Sequence, residues 1–192
     1  MKTIRFTLLG SIASFLILLS CQKNAKEIAA PGTFQALPSV QHQQTNGNPY
    51  AYVVTLESRT HVDGNWVWIW SVRNSNPGNG HNGTFQNLSH WGLQFDPQVD
   101  LSTIIAAGYS ADGSTWTGFN PVVAIDGSQN CMIDPVLKFD FGTEGANKSY
   151  YKIVTTYDYS EGSATGFYKS GNVTGCAVFT FNGISSGVIP DR

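Results

Sequence analysis

The stretch Trp66-Val67-Trp68-Ile69-Trp70-Ser71-Val72-Arg73 decides the fold. From Trp66 to Val72 every residue but Ser71 is aromatic or β-branched, and such side chains suit a pleated, half-buried surface. Successive side chains of a strand point to opposite faces. Trp66, Trp68, Trp70 and Val72 therefore share one face, and Val67, Ile69, Ser71 and Arg73 the other. Burying one aromatic side chain removes about 150–250 Å² from water, a gain of about 4–6 kcal/mol at 25 cal/mol per Å². Three wet indoles would forgo a gain on the order of 10 kcal/mol, comparable to the whole net stability of a domain. The opposite face also carries Ser71 and Arg73, as a face turned toward solvent would. The tryptophan face is thus expected to be core. In the alternative arrangement the indoles stand roughly 6.6 Å apart on the surface, a flat strip on which sugar rings or an apolar polymer could stack. Trp66, Trp68 and Trp70 would then be ligand-binding residues.

The same two-residue period recurs on both sides of this segment. Tyr50–Leu56, Ser89–Phe95, Ile104–Tyr109, Val122–Ile125, Val136–Phe141, Tyr150–Tyr157, Gly166–Tyr168 and Ala177–Phe181 read as further strands. Asp63-Gly64, Asn79-Gly80, Asn82-Gly83, Asp112-Gly113, Asp126-Gly127, Gly171-Asn172 and Asn182-Gly183 punctuate them as turns. No window of eleven residues holds a helical apolar stripe free of Gly or Pro. Eight or nine short strands in this pattern predict an all-β domain, an antiparallel β-sandwich of jelly-roll or Ig-like kind, with a closed β-barrel as the alternative. The 24 aromatic residues (5 Trp, 8 Tyr and 11 Phe) are ample for one core. Charged residues make up only 12% of the 192, half the usual density of about 25%. A net charge of −2 offers no electrostatic footprint for nucleic acid.

Within the expected sandwich, Cys131 precedes one strand and Cys176 opens the last. Two cysteines in an exported chain point to one disulfide between them. The motifs of hydrolytic chemistry are incomplete. Gly108-Tyr109-Ser110-Ala111-Asp112 breaks the Gly-x-Ser-x-Gly elbow at its last position. His42, His61, His81 and His90 are scattered without a His-Glu-x-x-His spacing, and His90 reads as a structural, hydrogen-bonded histidine at a strand start. The carboxylates fall mostly in or beside turns, so no pair is assigned to glycoside hydrolysis. Asp126-Gly127-Ser128-Gln129-Asn130-Cys131-Met132-Ile133-Asp134 begins like an EF-hand loop. It carries Cys131 where that loop needs glycine and Leu137 where it needs glutamate, so a plain turn bearing the disulfide is expected. No metal, cofactor or catalytic residue is assigned. The loop from Asn74 to Asn87 is long for a hairpin connection, and such loops often carry function. Asn74, Asn76, Asn79, His81 and Asn82 are its candidate ligand-binding residues.

The N-terminus supplies an address. Lys2 and Arg5 precede a mostly apolar run from Phe6 to Leu19, the plan of a secretory signal, too short for the roughly 20 residues that span a bilayer core. Leu18-Leu19-Ser20-Cys21 resembles the lipobox of bacterial lipoproteins. That resemblance implies cleavage before Cys21, a diacylglyceryl group on its thiol and acylation of the new amine. Such a triacylated cysteine meets the need for more than one chain in stable anchoring. Gln22 stands where enteric lipoproteins retained at the inner membrane carry Asp, which implies an outer-membrane or cell-surface destination. Losing Lys2 and Arg5 would leave nine basic residues against 13 acidic, a charge near −4, so the lipid would act without electrostatic help from anionic headgroups. The expected organisation is a signal over residues 1–20, a Gln-, Asn- and Pro-rich tether over 21–48 and the β-domain over 49–192. Its segments SHWGLQFD, PVLKFDFG and GCAVFTFNG resemble pieces of uncharacterised exported bacterial β-domains. The functional expectation is a lipid-anchored binding or adhesion module of the cell envelope. Low charge, abundant Asn and Gln and aromatic strips make carbohydrate the expected ligand class. A structural protein packing against envelope partners is the alternative, and a glycan hydrolase is the third reading.

Overall fold

A computed structural model describes residues 47–78 and 83–187. Ten strands run in the order β1 (Tyr52–Val62), β2 (Asn65–Asn74), β3 (Leu88–Gln94), β4 (Ile104–Ser110), β5 (Thr117–Phe119), β6 (Val123–Ala124), β7 (Val136–Phe139), β8 (Lys148–Thr155), β9 (Ser160–Ser170) and β10 (Cys176–Ser185). They form two antiparallel five-stranded sheets, β1-β2-β8-β4-β5 and β10-β9-β3-β7-β6. The protein is an all-β sandwich of two open sheets, and no barrel closes. Each segment read as a strand from sequence lies on one of these. The count of eight or nine omits β5, whose Thr-Gly-Phe is too short for a period to register. A short 3-10 turn at Leu101–Thr103, capped by the Asp100 side chain, leads into β4.

The tryptophan face of β2 is the core face. Trp68 and Trp70 have no exposed surface and Val72 almost none, whereas Val67 and Ile69 on the other face are half-buried. This overturns the strip of exposed indoles, since Trp68 and Trp70 offer a ligand nothing to stack on. The two rings stack on each other with centroids 5.9 Å apart. Register carries the apolar rows across the sheet: Trp68 lies beside Ile153 and Trp70 beside Tyr151, and these lie beside Ala107 and Tyr109. From the second sheet, Trp91 meets Tyr151 edge-on at 5.1 Å and Phe181 at 5.6 Å and stacks on Phe139 at 5.3 Å. Burial holds the phenol of Tyr151 well above the usual tyrosine range. Its hydroxyl donates to the Phe141 carbonyl at 2.8 Å and pairs with Ser149 Oγ at 2.9 Å.

A second, smaller apolar cluster sits on the other side of the second sheet. Phe167 lies opposite Gly92 in the β3–β9 register, and a Cβ on Gly92 would come within 2.5 Å of the Phe167 ring. The absent side chain is what lets that ring lie flat across β3. Cys131, Met132, Val136, Phe167 and Cys176 pack together there. Cys131 and Cys176 are joined by a disulfide with their Cα atoms 5.9 Å apart, which ties the segment between β6 and β7 to the start of β10.

The described chain enters the domain already docked. The Asn48 carbonyl accepts from the Tyr168 hydroxyl at 2.8 Å, and a Cβ on Gly47 would meet the Cys176 and Thr174 carbonyls at 2.8 Å. Cys21, the signal and most of the tether lie outside the described residues.

Candidate functional site

The two margins of the sandwich differ. At one, the long edge strands β1 and β10, of 11 and 10 residues, pack against each other. At the other the edges are β5 and β6, of three and two residues. Strands this short leave β4 and β7 incompletely covered, and a groove of about 410 Å³ lies there. Tyr109, Phe119, Asn120, Val122, Lys138 and Asp140 line it. The Tyr109 ring lies 6.4 Å from that of Phe119 and stacks on Phe141 at 4.5 Å with the planes 12° apart. Gly118, in the middle of β5, adds wall without bulk. Lys138 Nζ pairs with Asp140 Oδ1 at 3.1 Å and Asp126 Oδ1 at 3.5 Å, so its charge is matched within the wall.

A second groove of about 400 Å³ lies where β4 and β7 end. Ala111, which follows β4, and Phe141, Thr143 and Glu144, which follow β7, line it together with Asn87 and Lys148. Gly142 allows the chain to pass there, because any Cβ would collide with the Leu88 carbonyl. Lys148 Nζ reaches Glu57 Oε1 at 2.7 Å, and Ser71 Oγ donates to the same oxygen at 2.5 Å. The lysine and then the serine hold the Glu57 carboxyl below its usual range. Each groove has one carboxylate in its lining, Asp140 and Glu144 respectively. Neither holds the facing acid pair that glycoside hydrolysis uses.

His90 closes a buried polar network behind Lys138. It is 5% exposed, with Nε2 3.0 Å from Asp126 Oδ2 and Nδ1 3.3 Å from Ser89 Oγ. Burial, and then the Lys138 charge, depress its pKa below the ordinary histidine value, against the pull of Asp126. Burial works against ionisation of Asp126, but the Ser128 hydroxyl and backbone N–H, Lys138 and His90 outweigh it and lower its pKa. The consistent assignment is a neutral imidazole whose Nε2–H donates to an ionised Asp126 while Ser89 donates to Nδ1. Ser89, His90 and Asp126 thus follow the order of a hydrolase relay, but Ser89 lines neither groove. Ser128 Oγ donates to Asp126 Oδ1 at 2.6 Å, so this carboxylate has both oxygens engaged. The Asp126–Asp134 segment is a turn that braces the second sheet. Among the described residues no three His, Cys, Asp or Glu side chains gather to hold a metal.

The residues singled out from sequence take other places. Asn74 is 2% exposed. Its Nδ2 donates to the Phe85 and Gln86 carbonyls at 2.8 and 3.1 Å, and its Oδ1 accepts from the Asn76 backbone at 3.0 Å. Asn76 Nδ2 donates to the Gly83 carbonyl at 3.0 Å. Both asparagines are occupied in holding the loop together, which removes Asn74 as a ligand contact. Asn79, His81 and Asn82 lie outside the described residues. Trp66 is half-buried, with the Arg59 guanidinium 4.1 Å from its ring centroid, and Arg59 in turn pairs with Asp158. The groove residues escaped the sequence reading because they come from separate segments: β4, β5 with the connection to β6, and β7 with Asp140 just after it. Only Lys138-Phe139-Asp140, with two opposite charges at a spacing of two, carried a local signal.

No family model matches the chain, and comparison with curated proteins finds none similar to it.

Proposed function

We propose that this protein is a lipid-anchored binding module of the bacterial envelope, held through an acylated Cys21 and presenting the β5–β6 margin to a neutral glycan. The groove at that margin carries the reading. Its volume of about 410 Å³ falls within the 300–1,000 Å³ usual for ligand sites. Tyr109 and Phe119 supply apolar ring faces, and Asn120, Lys138 and Asp140 supply donors and acceptors at the wall. Apolar faces beside a few convergent polar groups suit a sugar, whose ring has an apolar C–H face and hydroxyls at its edge. Because Lys138 is paired with both Asp140 and Asp126, the wall presents no unmatched cation to select an anionic ligand. The lipobox at Leu18–Cys21 supports the anchor, and Gln22 supports outer-membrane or cell-surface placement. Packing against an envelope protein is the second reading, favoured by Val122 in the groove lining and Ile125 just after β6, which are 66% and 67% exposed.

Affinity electrophoresis through gels cast with neutral polysaccharides tests the glycan reading. Wild-type protein should be retarded on at least one polysaccharide, and Asn120→Ala, an exposed substitution, should abolish the retardation. Full mobility on every neutral polysaccharide tried, with recovery of an envelope protein after crosslinking in cells, would favour the second reading. Cys21→Ser should move the protein from the detergent to the aqueous phase in phase separation. Unchanged partitioning would remove the lipid anchor.

A further inference from the structure

Both grooves share one aromatic divider. Tyr109 lines the first, Phe141 lines the second, and the two rings stack at 4.5 Å. They also share their chain segments. Tyr109 and Ala111 stand two residues apart along β4 and the turn after it. Asp140 and Phe141 are consecutive, one in each wall. We propose that the grooves are two halves of one trough, which binds an internal stretch of a neutral glycan chain several sugar units long. This rests on the glycan reading above and specifies its ligand as an extended polymer.

Three observations favour that occupant. The first is reach. The wall from Lys138 to Thr143 is six residues, at most about 20 Å when extended, longer than a single sugar ring. Each half alone, at about 400 Å³, lies near the small end of ligand sites. The second is charge. Lys138 is paired with Asp140 and Asp126, and Lys148 with Glu57, so neither half presents an unmatched cation to an anionic polymer. The third concerns peptides. An extended peptide binds a sheet by continuing its hydrogen-bond ladder, and the edge strands here are three and two residues long. They offer almost no ladder to continue.

Calorimetric titration of the full chain in detergent micelles, with gluco- and manno-oligosaccharides of one, two, four and six units, tests the trough. In at least one series affinity should rise ten-fold or more from the disaccharide to the hexasaccharide. Ala111→Trp fills the second half from an exposed position. It should lower hexasaccharide affinity to the disaccharide level and leave the disaccharide unchanged, with a melting temperature equal to wild type confirming the fold. Asn120→Ala should weaken both ligands. Equal affinity for disaccharide and hexasaccharide, or a hexasaccharide indifferent to Ala111→Trp, overturns the trough and leaves the single-groove reading standing. Absence of binding at every length overturns both.

Discussion

Replacing Trp68 by alanine tests the central packing of the sandwich. The indole is fully buried, so truncation loses nearly all of a 150–250 Å² contact, an upper figure of about 4–6 kcal/mol. Unfolded chains already bury part of their apolar surface, which trims such figures by roughly 10–40%. What remains is about 3–5 kcal/mol, the range seen when large aromatic residues are removed from cores. Hydrogen bonding adds little to this. Trp68 Nε1 lies 3.4 Å from Thr155 Oγ1, a long contact, and Thr155 still donates to the Tyr157 carbonyl at 2.9 Å when the indole is gone. A loss of about 4 kcal/mol in a domain of this length lowers Tm by roughly 8–16 °C. Trp66→Ala provides the comparison, because Trp66 is half-buried under Arg59 and should cost only about 1–2 kcal/mol. Thermal and urea melts of both variants measure the difference. A Trp68→Ala protein melting within a degree or two of wild type, or a costlier Trp66→Ala, would refute the assignment of the tryptophan face to the core.

Two further outcomes follow from particular contacts. Reducing the Cys131–Cys176 bridge, or replacing both cysteines by alanine, frees a loop of sequence separation 45 and should cost about 4 kcal/mol by chain entropy. An unchanged urea midpoint would show that the packing of Met132 and Phe167 holds the segment without the bridge. His90 is held neutral by burial with its pKa below the ordinary value, so the unfolded chain takes up this proton first as pH falls. Its contribution to stability is complete above about pH 6.5 and declines below it, by at most about 1.4 kcal/mol per pH unit. His90→Asn should flatten the slope of stability between about pH 6.5 and 5; a slope equal to wild type would place the responsible group elsewhere.

The architecture was legible wherever a strand alternates strongly. The Trp66–Val72 period identified both β2 and its buried face, because burial of the Trp68 and Trp70 indoles outweighs any local preference. The extents of β1, β9 and β10 were less legible. Ser160-Glu161-Gly162-Ser163 has poor strand propensity, yet it pairs with Asn182–Ser185 at the end of β10, where tertiary pairing overrides composition. Asn74 carried the polar character expected of a recognition loop. Three hydrogen bonds consume it instead, and nothing in a single sequence separates an asparagine that binds backbone from one that binds ligand. The grooves were beyond local reading. They arise from sheet order, which sets the short strands β5 and β6 at one margin and brings Tyr109 of β4 against Phe141 after β7.

The proposed ligand site lies along the β5–β6 margin. Amide chemical-shift mapping with the tightest-binding hexasaccharide from the oligosaccharide titrations tests it most directly. The largest perturbations should fall on Gly118, Asn120 and Asp140 in the first groove and on Ala111, Thr143 and Glu144 in the second, with the β1–β10 margin unmoved. Perturbations centred on residues 74–78 and 83–86, with the groove residues unmoved, would refute that placement.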